Sequence, residues 1–229
     1  MIPKIIHQTW KTKQIPEHFR LLKETWIKLH PDWTYILWTD EDNRRFIQNH
    51  FPSFLEKFDS YPTNIQRVDA IRYFILYTMG GLYVDIDYEC LQSVQSLLEN
   101  KSAVFGSEPA GHCMRFNMDM IVSNAFMACK KKDPFFELLC RSMEDTIQQD
   151  TKTITSVLET TGPFKLSKLV AENRASFDIS IIEPSVICPL TIEEVQATIN
   201  GNITSDVREK LDTAFAVHYF WGNWWSEIV

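Results

Sequence analysis

The chain lacks several things, and each absence removes a class of function. No apolar run among its 229 residues approaches the roughly 18 needed to cross a bilayer, so a membrane-spanning helix is excluded. Basic charge is in deficit: 23 Lys and Arg stand against 30 Asp and Glu, a formal net charge of -7. A sequence-independent nucleic-acid binder needs the opposite balance. The five cysteines are odd in number, scattered and without a C-x-x-C pair. That fits reduced thiols in a cytosolic protein better than a disulfide framework or a zinc site. Repeats, linkers and low-complexity stretches are also missing, and Met1 leads almost directly into a strand-like run rather than a secretion signal. The expectation is one cytoplasmic domain over residues 1–229, with peripheral contact at the inner face of the membrane left open.

What is present is an ordinary globular balance, 45% hydrophobic and 23% charged, with 13% aromatic residues including seven Trp. Lys4 to Thr9 reads as a strand, and Phe19, Leu22, Trp26 and Leu29 recur at helical spacing behind Pro16. Tyr35 to Trp38 reads as a second strand, and Thr39-Asp40 caps a helix through Ile47. A β-α-β-α order predicts a mostly parallel sheet with helices on its faces. Thr63 with Gln66 three residues later is a capping box; it opens a helix to about Met79 that Gly80-Gly81 ends. A strand is then expected over Leu82 to Asp87. Shorter strands are expected at 103–106, 121–124, 179–182 and 214–218, with helices after Asp133-Pro134 and after Thr161-Gly162-Pro163.

Four stretches carry candidate chemistry. On a strand, Asp85 and Asp87 face the same side, and two hard oxygen ligands together suit Mg²⁺ or Mn²⁺. The strand would end at the sheet's carboxyl edge, where open α/β sheets bind ligands. Taken alone, such a pair is weak and is more often a pair of solvated turn carboxylates. Asp69, Arg72 and Tyr73 share one helix face, as a sugar or phosphate contact or as a plain intrahelical ion pair. The polar end of the first strand offers Gln8 and Trp10, the latter for stacking on a base or for core packing. The tail from His218 to Trp225 is too aromatic to be left in water, so it is a structural plug or a lid, with His218 a further metal or phosphate contact.

Together these stretches resemble the DXD-containing sugar transferases of glycosyltransferase family 32, which includes Och1-like mannosyltransferases and bacterial capsular enzymes. They are more distantly similar to the glucosyltransferase domain of clostridial toxins. The resemblance rests on Ile2 to Trp10, Arg67 to Tyr73, Gly80 to Asp87, Ser123-Asn124, Thr161 to Pro163, and His218 with Gly222-Asn223-Trp224. It implies a GT-A fold, an α/β architecture with a mixed, mostly parallel sheet flanked by helices. It implies retaining transfer of a hexose from a nucleotide-sugar to a saccharide or lipid-linked acceptor with Mn²⁺ or Mg²⁺, in surface polysaccharide synthesis. A UDP-sugar is the favoured donor, with GDP-mannose the other. By position, Trp10 would stack on the base, and Asp69 and Arg72 would hold the donor sugar. Tyr83 would support the donor, Asp87 would ligate the metal with Asp85 beside it, Asn124 would contact sugar or diphosphate, and Trp224 would reach the leaving phosphate. The family's tail reads Gly-Ser-Trp, whereas Asn223 stands here in place of Ser. The rival readings are a metal-dependent phosphodiesterase or nucleotidyl enzyme and a non-catalytic carbohydrate-binding module.

Overall fold

The computed structural model describes residues 1–145 and 152–222. In chain order the elements are β1 (Ile5–Thr9), α1 (Glu17–Leu29), β2 (Thr34–Trp38), α2 (Asp40–His50), α3 (Leu55–Ser60), α4 (Asn64–Met79), β3 (Gly81–Val84), β4 (Tyr88–Cys90), α5 (Gln95–Leu98) and β5 (Ala103–Ser107). They continue with α6 (Ala110–Arg115), β6 (Val122–Cys129), α7 (Pro134–Asp145), α8 (Ile154–Thr160), α9 (Pro163–Asn173), β7 (Ile179–Ile182), α10 (Pro184–Ile187), α11 (Ile192–Ile199), α12 (Ser205–Thr213) and β8 (Ala216–His218). Six strands form one sheet in the order β2-β1-β3-β6-β5-β7. The β1–β2, β1–β3 and β5–β7 ladders are parallel, and β6 runs antiparallel to both neighbours. A second, two-stranded sheet pairs β4 with β8 antiparallel.

Residue alternation along the strands splits the core. Leu82 and Val84 of β3 face Trp26 of α1 on one side of the sheet, while Tyr83 joins Ile71, Phe74 and Ile75 of α4 on the other. Helices cover both faces, and α4 is the most enclosed of them. From Asp69 to Leu76 all of its residues are buried. The capping box at Thr63 and Gln66 forms as expected. At the other end Gly80 and Gly81 adopt φ of 68° and 103°. A Cβ on Gly81 would lie 2.7 Å from the Ile5 carbonyl oxygen, so no other residue fits between α4 and the β1–β3 ladder.

The sequence reading needs correcting at the next step. The strand stops at Val84 rather than running to Asp87, and Asp85, Ile86 and Asp87 form a turn closed by Tyr88 N–H on the Asp85 carbonyl at 3.1 Å. Antiparallel pairing with β6 ends at Phe126, and the chain then leaves for the smaller sheet with β8. Strand alternation therefore does not bring the two carboxylates together; the turn does. β6 also extends to Cys129, well past the expected 124.

His7 anchors the glycine turn from below. Its Nε2–H donates to the Gly80 carbonyl at 2.9 Å, and its Nδ1 accepts from Trp38 Nε1–H at 3.1 Å. Both nitrogens are thus committed to the neutral tautomer, and burial lowers the pKa from 6.5 to about 4. Above pH 6.5 the ring is neutral folded or unfolded. Between 6.5 and about 4 only the unfolded chain takes up the proton, so stability falls through that window, by up to about 3 kcal/mol. Urea denaturation at a series of pH values should reveal this slope in the native chain and a shallower one in His7→Gln. Parallel slopes would contradict the assignment.

Candidate active site

Arg72 is the hub of the first half of the site. It is 3% exposed. One terminal nitrogen lies 3.1 Å from Asp69 Oδ1 and the other 3.2 Å from Asp85 Oδ1. The latter also donates to the Asn124 carbonyl at 2.9 Å, while Nε donates to the Val68 carbonyl at 3.2 Å. The guanidinium stacks over the Tyr83 ring at 4.9 Å. Tyr83 O–H donates to Asp85 Oδ1 at 2.8 Å and accepts, in turn, from Thr9 Oγ1 at 2.8 Å. Asn124 Nδ2 donates to Asp69 Oδ1 at 3.0 Å. Burial raises the Asp69 carboxyl to about 6, against the pull of Arg72. Burial likewise raises Asp85; Arg72 opposes that shift and the neighbouring Asp87 adds to it.

The second half is built by the small sheet. β8 places His218 opposite Tyr88, with the two rings stacked at 4.3 Å and 10°. His218 Nε2 lies 3.1 Å from Asp87 Oδ1. Phe220 takes a left-handed φ of 52°, and the chain around it curls over Asp87. Trp221 N–H donates to Asp87 Oδ2 at 2.9 Å, and Tyr219 N–H to the Asp87 carbonyl at 3.0 Å. Burial alone would raise the Asp87 carboxyl, but the charge and hydrogen bond of His218 and the Trp221 N–H overcome it and hold Asp87 below its ordinary value. Burial would lower His218; Asp87 reverses that and raises it.

One ligating atom each from Asp85, Asp87 and His218 lies within 4.8 Å of the others. Two carboxylate oxygens and one imidazole nitrogen form a donor set that suits Mn²⁺ or another borderline-hard divalent ion. The His218 Nδ1 is buried without a hydrogen-bond partner among the described residues. The ring is thus held by stacking and by Asp87 alone. The cluster fits a metal ion: two carboxylates and one imidazole nitrogen converge on one point.

The structure brings Asp69, Arg72, Tyr83, Asp85, Asp87, Asn124 and His218 into one contiguous network. The remaining sequence candidates fall elsewhere. Gln8 is fully buried; its Nε2 donates to the Asp85 carbonyl at 3.2 Å and its Oε1 accepts from Tyr35 O–H at 2.7 Å, so it fixes the turn from behind. Trp10 is half-buried with its ring 4.8 Å from Phe19, in a small apolar cluster that also holds Trp221. Asn223 and Trp224 lie outside the described residues. Sequence reading missed Thr9 and the Trp221 N–H. Thr9 was signalled only by the abrupt polarity at the end of β1, and a backbone donor has no sequence signature at all. Thr161 was noted for its Gly-Pro neighbours. In the structure its carbonyl accepts from Tyr73 O–H at 3.0 Å, and its hydroxyl lies 3.5 Å from Asp69 Oδ2.

Comparison with known proteins gives the chain's family and fold. Residues 16–104 match the family model described as a glycosyltransferase sugar-binding region containing a DXD motif. Inositol phosphoceramide mannosyltransferase 2 of Schizosaccharomyces pombe is 43% identical over 169 residues, covering 74% of this chain and 46% of that protein. Mannosyl phosphorylinositol ceramide synthase CSH1 of Saccharomyces cerevisiae is 40% identical over 167 residues, covering 73% and 42%. The chain thus spans about half the length of these relatives. Among solved structures, the PaToxG glycosyltransferase superposes with a TM-score of 0.54 at 18% identity, covering 93% of this chain and 84% of that one. The shared architecture is the GT-A fold.

Proposed function

The chain belongs, through residues 16–104, to the glycosyltransferases with a DXD-motif sugar-binding region, and from that premise we propose that it is a hexosyltransferase using a nucleotide-sugar donor. The observation that carries the reading is the convergence of Asp85, Asp87 and His218 beside the buried Asp69–Arg72 pair. One relative is named an inositol phosphoceramide mannosyltransferase and another a mannosyl phosphorylinositol ceramide synthase. Carried over, this makes mannose the favoured hexose and a glycolipid the favoured acceptor, with a saccharide acceptor second. The five free, buried cysteines support placing the reaction in a reducing compartment such as the cytoplasm.

Transfer asks four things of the protein. Asp85, Asp87 and His218 are the residues that would hold Mn²⁺ or Mg²⁺, with His218 serving in its neutral form. Such an ion supplies Lewis-acid neutralisation of charge on a departing diphosphate. Arg72 stays behind Asp85, fixing its carboxylate and that of Asp69 rather than reaching solvent itself. Tyr83 and Gln8 hold the Asp85 side chain and backbone, so the turn does not reorganise as charge develops. The bond between the sugar's anomeric carbon and the diphosphate oxygen breaks through an oxocarbenium-like state. The acceptor hydroxyl bonds to that carbon from the same face, and its proton passes to the departing phosphate oxygen, giving retention. Asn124, whose amide is turned to Asp69, completes the wall on the sugar side.

The test is a panel of nucleotide-sugars incubated with the chain and Mn²⁺, reading nucleoside diphosphate release. One or more donors should be cleaved, and EDTA should lower the rate by about a hundredfold or more, with recovery on adding Mn²⁺ back. Cleavage that persists unchanged in EDTA, or no release from any donor, would overturn the proposal.

A further inference from the structure

Between β5 and β6 the chain leaves the sheet and winds back through a short excursion that contains α6. Its base is closed where Glu108 N–H donates to the Ile121 carbonyl at 2.9 Å. Its tip is wound on Cys113, whose carbonyl accepts from Phe116 N–H at 3.2 Å and from Met118 N–H at 3.0 Å. Asn117 turns the chain there with a left-handed φ of 53°. The tip reads Met114-Arg115-Phe116-Asn117-Met118-Asp119-Met120, apolar at every second position. Met114 is 75% exposed, Phe116 40% and Met120 36%. Of the eight large apolar side chains exposed among the described residues, these three share one tight loop, whereas the others are spread over the chain. Apolar side chains gathered in this way mark a contact surface.

The base of the excursion belongs to the candidate active site. It re-enters the sheet as β6, the strand that carries Asn124. On its outgoing side His112 donates Nδ1–H to Glu108 Oε2 at 3.0 Å, and the His112 ring meets the Phe220 ring at 4.9 Å. Phe220 lies in turn 4.2 Å from the ring of His218. One aromatic ring thus separates α6 from a metal-ligand candidate. Phe116 follows His112 by four residues, about 6 Å at the standard helical rise. Phe116 also packs edge-on against Phe164 of α9 at 5.0 Å, which holds the tip in place. A polar base at the site and an apolar tip in solvent match an amphiphile whose head reacts while its chains stay in lipid.

Resting on the glycolipid-acceptor reading, we infer that Met114, Phe116 and Met120 insert into the surface of the bilayer that holds the acceptor, docking the site over its headgroup. Two observations select a bilayer over a protein partner. The patch is one loop tip, far short of the roughly 20–30 residues a side that a stable protein interface uses. Its side chains are mostly Met, unbranched and without fixed shape, which suits a fluid medium better than a shaped pocket. The charges set the character of the contact. Arg115 is paired with Glu193 at 3.0 Å, and Asp119 stands among the apolar residues, so the tip has no excess of basic charge. Insertion is therefore apolar rather than electrostatic and does not call for anionic lipid.

Sedimentation of the full chain with phosphatidylcholine vesicles tests this. The native chain should bind, and equally well at low and high salt. Met114→Ser should weaken binding by about tenfold, and Met114→Ser, Phe116→Ser and Met120→Ser together by about a hundredfold or more. Leu21→Ser, which removes another exposed apolar side chain from α1, should change nothing. Met114 is the most exposed of the three, so its single variant reads docking without disturbing the fold. A native chain that ignores these vesicles, or a triple variant that binds as the native chain does, would overturn the inference. Binding that needs phosphatidylserine and vanishes in high salt would do the same. So would a dimer at sedimentation equilibrium that the triple variant dissolves, since the patch would then serve a second copy of the chain. Mn²⁺-dependent nucleoside diphosphate release without vesicles tests the transferase reading separately, so either can fail alone.

Discussion

Asp87→Ala is expected to lower donor cleavage by about a thousandfold in saturating Mn²⁺. The size follows from how much of the site converges on this one carboxylate. It lies 3.1 Å from His218 Nε2, accepts from Trp221 N–H, and is held below its ordinary pKa by these partners once burial is overcome. It is therefore ionised across the working pH range and is the more firmly placed of the two acids. Asp87→Asn separates charge from shape. Asparagine keeps an oxygen for the Trp221 N–H but loses the negative charge that raises His218. The variant should fold nearly as well as the native chain, bind Mn²⁺ weakly by electron paramagnetic resonance, and transfer almost as poorly as Asp87→Ala. Activity within about tenfold of native in either variant would remove Asp87 from the metal site.

Arg72→Met is expected to be the most destabilising single change in the site, costing about 3–5 kcal/mol. Breaking a buried ion pair strands its partner's charge. Here two carboxylates would be stranded, Asp69 and Asp85, and the Asn124 and Val68 carbonyls would each lose a donor. Asp69→Asn should be milder, because Asp69 already titrates at about 6 and its protonated form is close to tolerated. The double variant should recover part of what Arg72→Met loses, since one stranded carboxylate has been neutralised. The pH response has a definite sign. Folded Asp69 takes up its proton near 6 and unfolded Asp69 near 3.8, so as pH falls between those values this residue favours the folded state. That opposes the loss at His7 over the same window, and the two separate only in the single variants. Urea unfolding of Arg72→Met, Asp69→Asn and their combination at pH 7 and pH 5 measures all of this. A cost below about 1 kcal/mol for Arg72→Met would show that the hub holds nothing.

What could be read without coordinates was local or carried by spacing. The Thr63–Gln66 box and the Gly80-Gly81 stop each act within a few residues, so they fixed α4 at both ends. The placement of Asp69 and Arg72 on one helix face followed from helical periodicity, and the Asp85–Asp87 pair was conspicuous by its own pattern. The sequence likewise signalled β7 at Ile179–Ile182 and the run into His218.

The tertiary structure decided how these parts meet. No local rule says that β3 must end at Val84; that depends on where β6 stops pairing and where β8, some 130 residues on, receives β4. The turn at Asp85 to Asp87 then exists because the chain changes sheets there. The approach of His218 to Asp87 and the curl that aims the Trp221 N–H arise from that long-range antiparallel pairing, while the burial that turns Gln8 from a candidate contact into a brace comes from the place of β1 between β2 and β3. Residue types and short spacings are written along the chain, whereas charge convergence is a property of distance, and distance between remote segments is set only when the sheets close.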